Sequence, residues 1–181
     1  VKGAERLSTA DRADALRAER VVAVTRPLEL PLKLRAALTL SQAGPGDAVC
    51  GSVLEVLGNG KVWSLGQLEQ ALRPKGIALD RVAEAVILIA SCGLIQPAQD
   101  ERVTAVVRPR TDRLNAHLIE RARGSDDVRD LASPVTGGGI PVGRRERLFL
   151  AELRAGETRP DEWARAAAKV LPTDPLADLL G

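Results

Sequence analysis

The stretch from Ser64 to Gly93 constrains this chain more than any other, because it carries its own start and stop signals. Ser64 is a good helix N-cap, and Gln67 three residues later completes a capping box. Leu65, Leu68 and Leu72 then recur at helical spacing. Pro74-Lys75-Gly76 breaks that helix. Asp80 is placed to cap a second helix that runs to Gly93, a natural glycine for the position after a helix end.

Two short helices joined by a tight turn and followed by a strand-like segment predict a helix-turn-helix inside a winged-helix domain. Ala48 to Leu57, with Val49, Val53, Leu54 and Leu57 inward, is the helix before it, and Lys61-Val62-Trp63 is a short strand between them. The wing is expected from Leu94-Ile95-Gln96 paired with Val103 to Val107 around Gln99-Asp100-Glu101. DNA binding is the first inference from such an order. A reading helix, however, needs basic and amide side chains to reach base edges and phosphates. The second helix instead contains Arg81-Val82-Ala83-Glu84-Ala85-Val86-Ile87-Leu88-Ile89-Ala90-Ser91-Cys92. A helix apolar on most faces belongs to a core or an interface.

Net charge limits the partners. It is +2, and acids and bases alternate without a long basic run. Neither nucleic acid nor an anionic membrane is demanded. There is no signal-like apolar segment and no run long enough to span a bilayer, which favours a cytoplasmic location. The 181 residues suffice for one or two domains. Met and Tyr are missing altogether, and the absent initiator suggests a fragment of a longer chain. Cys50 and Cys92 lack metal-ligand spacing and are expected to be buried, reduced thiols.

Ahead of the central stretch, Ser8 is predicted to cap a helix through about Arg20, and Glu19 to Val24 turns strand-like. Leu28, Leu30, Leu32 and Leu34 alternate with polar residues or Pro31, an edge strand at best. Residues 42–47 form a turn-rich break. Beyond it, Arg108-Pro109-Arg110 reads as a linker, Thr111 as the cap of a helix from Asp112 to Ala122, and Arg144 to Ala155 as a helix burying Leu148, Phe149 and Leu153. A last helix begins near Thr158, carries Trp163, Ala167 and Val170, and stops at Pro172; the tail 174–181 adds one apolar turn. The expected class is mostly α (α+β). Its segments are 1–47 (helix and strand), 48–110 (winged-helix-like) and 111–181 (a small helical subdomain with a glycine-rich loop).

Several stretches carry candidate chemistry. Glu55 to Gly60 superficially resembles a Rossmann glycine loop, but Leu57 stands where a glycine is needed and no βαβ unit follows, so a helix end and turn is the simpler account. His117 is the only histidine and has no ligands at metal spacing. Residues Ser133 to Pro141 include three consecutive glycines, whose ordering is costly. Their amides would suit an anion nest, although a close-packing turn is the simpler role. The pairs Arg108/Arg110 and Arg144/Arg145 read as solvated faces or as contacts to an acidic partner.

Two separated segments are similar to one family. Val1 to Arg12 resembles the entry segment of the methyltransferase regulatory domain. Asn115, followed by Leu131-Ala132-Ser133-Pro134-Val135-Thr136-Gly137-Gly138-Gly139-Ile140-Pro141-Val142, resembles a later segment of the same family. That resemblance implies an accessory region following the catalytic domain of a bacterial S-adenosylmethionine-dependent methyltransferase, some relatives of which modify protein lysines. It implies an upstream Rossmann domain as partner, a protein as a possible substrate, and S-adenosylmethionine as the cofactor of the whole enzyme. No catalytic, cofactor-binding or metal residue carries over. Asn115, Ser133, Thr136, Gly137, Gly138 and Gly139 are the expected interface or substrate rim. The alternative is a winged-helix nucleic-acid binder, for which Lys61, Arg73, Lys75, Arg81 and Arg102 would have to share one surface.

Overall fold

The computed structural model describes residues 7–25, 28–32 and 46–171. The fold is mostly α with short antiparallel strands, and the chain divides into two compact units, Val1–Asp100 and Glu101–Gly181.

The first unit opens with α1 (Thr9–Ala18), capped by Ser8, whose side chain accepts from the Asp11 amide. Strand β1 (Arg20–Ala23) follows, and α2 (Gly46–Leu57) buries Cys50, Val53, Leu54 and Leu57. Strand β2 (Trp63–Ser64) leads into α3 (Leu65–Leu72) through the predicted capping box, with both reciprocal hydrogen bonds present between Ser64 and Gln67. Arg73–Lys75 then forms a single 3₁₀ turn.

Helix α4 (Leu79–Ser91) starts one residue after Ala78, which is its N-cap, so Asp80 lies in the first turn rather than at the cap. There its carboxylate still faces the positive end of the dipole. Gly93, just past the helix, has φ +72°, which a residue with a Cβ rarely adopts. The unit closes with β3 (Ile95–Pro97).

These strands correct the expected wing. Strand β3 pairs antiparallel with β1 (Val22 opposite Gln96), β2 pairs with the other edge of β1 (Arg20 opposite Ser64), and the order is β2-β1-β3. The central strand therefore comes from before the helices, not from after a wing. Val103 to Val107 is helical. Leu28–Leu32 is not a strand, and residues 33–34 lie outside the described residues. Leu30 nevertheless enters the core while Leu32 stays exposed. Packed together are Val21, Leu57, Leu65, Leu68, Leu72, Val82, Val86, Ile89 and Ile95, among others. Each fully buried leucine stabilises the fold by about 1.5–3 kcal/mol. Cys50 is fully buried, whereas Cys92 is only partly so, and both are free thiols.

The second unit begins with a long helix, α5 (Glu101–Arg121). The linker expected at residues 108–110 is inside it, with Pro109 in its interior. Thr111 is no cap: its hydroxyl donates to the Val107 carbonyl one turn back. A hairpin of β4 (Asp130–Ala132) and β5 (Gly139–Pro141) comes next, with Leu131 opposite Ile140.

Helices α6 (Arg144–Arg154) and α7 (Pro160–Val170) complete the unit. Ala122, Leu148 and Ala167 form its small core, with Phe149, Val170 and Leu171 packed against it. Leu153, expected inside, is exposed, and Arg147 is buried in its place. Arg147 Nη2 meets Asp126 Oδ1 at 2.6 Å, which gives the buried charge a partner. Thr158 does not cap α7; Arg159 occupies the cap without a side-chain bond. Trp163 Nε1 donates to the Glu157 carbonyl at 2.9 Å, anchoring the loop before α7. Residues 1–6, which carry most of the first family-like segment, lie outside the described residues, as do 42–45 of the expected turn-rich break and the tail 172–181.

Candidate functional site

Asn115 and the hairpin residues singled out from sequence do meet. On α5, Asn115 Nδ2 donates to the Ala132 carbonyl at 2.8 Å, and the Ala132 amide donates back to Asn115 Oδ1 at 2.8 Å. A primary amide can satisfy a strand residue on both its donor and its acceptor in this way. One turn from the start of α5, Thr104 Oγ1 donates to the Pro134 carbonyl at 3.2 Å. Two side chains of a single helix thus hold the hairpin's first strand and its turn.

The turn itself is closed. The Ser133 amide donates to the Gly138 carbonyl at 2.8 Å and the Gly137 amide to the Ser133 carbonyl at 2.9 Å. Ser133 Oγ accepts from the Thr136 amide at 3.1 Å. Gly137 has φ +73°, so this sharp reversal needs a residue without a Cβ. These amides are committed inside the turn and do not serve an anion nest. Gly137, Gly138 and Gly139 are exposed, and they present bare backbone at the tip. Thr136 Oγ1 is buried with no hydrogen-bond partner among the described residues.

Other candidates fall elsewhere. His117 is exposed on α5, and no group of three or more His, Cys, Asp or Glu able to hold a metal occurs among the described residues. Glu55 to Gly60 is the end of α2: Gly58 donates to the Glu55 carbonyl at 3.3 Å and Gly60 to the Leu57 carbonyl at 3.0 Å. Asn59 Oδ1 accepts from the Lys61 amide and from Trp63 Nε1, fastening the turn to β2. With a helix before it and its amides in use, this segment does not fit S-adenosylmethionine, whose Rossmann loop follows a strand.

The outward face of α4 bears on the nucleic-acid alternative. Arg81 pairs with Glu84 at 3.0 Å, and Ile87 is 70% exposed. Ile87, Val86 and Ala83 line an apolar groove of about 240 Å³ with Leu16, Val21 and Leu65. Lys75 is paired with Glu55 at 2.9 Å. Periodicity alone did not locate a second cleft, of about 450 Å³, lined by Leu28, Leu30 and Leu54 together with Glu29, Asp47 and Glu55. Its walls come from segments far apart in sequence, and no local pattern marks them.

Comparisons with known proteins give one relative to report. The chain is 33% identical over 119 residues to the uncharacterized protein sll1526 of Synechocystis sp.. That match covers 66% of this chain and 23% of the relative, so the chain spans about a quarter of the longer protein. No protein-family model and no solved structure matches. Among the described residues no helix is long and apolar enough to cross a membrane.

Proposed function

We propose that this chain is a non-catalytic regulatory or substrate-recognition region of a cytoplasmic class I S-adenosylmethionine-dependent methyltransferase. The supporting observation is the double hydrogen bond between Asn115 and Ala132. It ties together two parts of a motif that stand 17 residues apart in sequence, so the family-like segment acts as one structural unit. The coverage of only 23% of a longer relative suits a region of a larger protein. An apolar α4, with its one outward arginine paired in-helix, is a poor phosphate reader and supports docking over base recognition.

In this reading the region works by positioning. Methyl transfer requires the acceptor to be aligned with the donor's methyl group, and a rigid rim at the substrate entrance lowers the entropic cost of that alignment. The exposed glycine tip of the hairpin is such a rim, held from behind by Asn115 and Thr104. S-adenosylmethionine would reside on the catalytic domain, and the upstream domain and a protein substrate are the partners.

Calorimetric titration with S-adenosylmethionine tests this. The full-length protein is expected to bind stoichiometrically, and the present chain alone not at all. In the full-length protein, Asn115→Ala is expected to lower methyl transfer without changing cofactor affinity. Stoichiometric binding by the chain alone, or none by the full-length protein, overturns the reading.

A further inference from the structure

Helix α5 presents two unlike sides. At roughly 100° per residue, Thr104, Thr111, Asn115 and Ala122 fall within about 40° of one another. Thr104 and Asn115 hold the hairpin, and Ala122, just past the helix end, is buried, so this is the packed side. Val106, Arg110, Arg113 and His117 fall within about 60° on the opposite side, with Val103 beside them. Val106 is 77% exposed and Val103 45% exposed. Arg110, Arg113 and His117 are exposed as well.

The arginines on this side differ from several others among the described residues. Arg17, Arg20, Arg81, Arg121 and Arg123 each meet a carboxylate. Arg110 and Arg113 have no hydrogen bond or ion pair among the described residues. Unpaired guanidinium groups beside exposed valines specify a complementary surface with carboxylates flanking an apolar side chain. A nucleic-acid backbone would satisfy the arginines but offers no apolar surface to the valines.

We propose that this face of α5 docks an acidic protein surface, Val103 and Val106 seating an apolar side chain while Arg110 and Arg113 pair with its carboxylates. The proposal is independent of the methyltransferase reading. Cofactor titration decides that reading, and peptide binding decides this one.

The probe is a fluorescein-labelled helical peptide with glutamates at i,i+4 spacing beside leucines, measured by anisotropy against the whole chain. Its counterpart with lysines in place of the glutamates, and a short DNA duplex, are measured in parallel. The acidic peptide is expected to bind, and the lysine peptide not. Arg110→Glu combined with Arg113→Glu is expected to weaken binding by about tenfold or more, and Val106→Asp to do likewise. Arg165→Glu, an exposed charge reversal on α7, is the control and leaves binding unchanged. All of these positions are exposed, and unchanged circular dichroism verifies folding. The proposal is overturned if the variants bind the peptide as tightly as the parent. It is equally overturned if the duplex binds in preference and is lost in the same variants, or if Val106→Asp only abolishes self-association.

Discussion

Asn115 shows how much one side chain can organise. Its amide satisfies both backbone groups of Ala132, so truncation leaves a partly buried donor and acceptor without partners. Asn115→Ala is expected to cost about 1–3 kcal/mol, visible as a lower Tm in calorimetry. Asn115→Asp keeps the acceptor but loses the donor and is expected to recover only part of that loss. Glu157 is a second instance. The Arg159 guanidinium, with the Arg159 and Thr158 amides, holds its carboxyl down to about 2, from 4.5. A depressed carboxylate stabilises the folded state above its unfolded value, and that contribution is lost as pH falls from 4.5 toward about 2. An NMR titration should place the Glu157 midpoint near 2, and Glu157→Gln should flatten the acid limb of the stability curve. Asn115 was visible in the sequence only as part of a family-like segment. Nothing local shows that an asparagine on a helix will bond a strand beyond the next turn.

At the scale of elements, the helix-turn-helix was legible because its signals are short-range. The Ser64–Gln67 box, the leucine spacing of α3 and the glycine after α4 all act within a few residues. Helix α5 was misread for the opposite reason. Arg108-Pro109-Arg110 has the composition of a linker, and proline is a strong helix breaker. Yet Pro109 lies inside a continuous helix, where the Ala105 carbonyl forgoes an amide donor. Hairpin bonds from Thr104 on one side of Pro109 and Asn115 on the other favour keeping the helix unbroken. Since Pro109 is exposed, Pro109→Ala removes the defect without opening a cavity. It is expected to raise stability by up to about 3 kcal/mol, measured by thermal unfolding. A lower Tm would show that the proline supplies a shape that α5 needs.

At the scale of the whole molecule, each compact unit has its own core, and the first is the larger. Cys50 reports on it. The thiol is fully buried, and burial, with a smaller contribution from Asp47, pushes its pKa up. Thiolate is the reactive form, so Cys50 should be slow to label for two reasons, access and charge. A thiol reagent is expected to modify the half-buried Cys92 first, and Cys50 only at the rate at which this core opens. Equal rates at neutral pH would mean the core around α2 is looser than its packing indicates.

The sequence by itself determined where α1 and α3 start and where α4 ends, which faces of α2 and α3 turn inward, and that the chain is mostly α. Those outcomes depend on capping bonds and side-chain periodicity over a few residues. Only the tertiary structure decided that β1 lies between β2 and β3, that Arg147 rather than Leu153 is buried, and that Asn115 holds the hairpin. Strands this short have little preference of their own. Their partners are chosen by contacts between residues far apart in the chain, and a buried arginine is tolerated only where the fold brings a carboxylate to meet it.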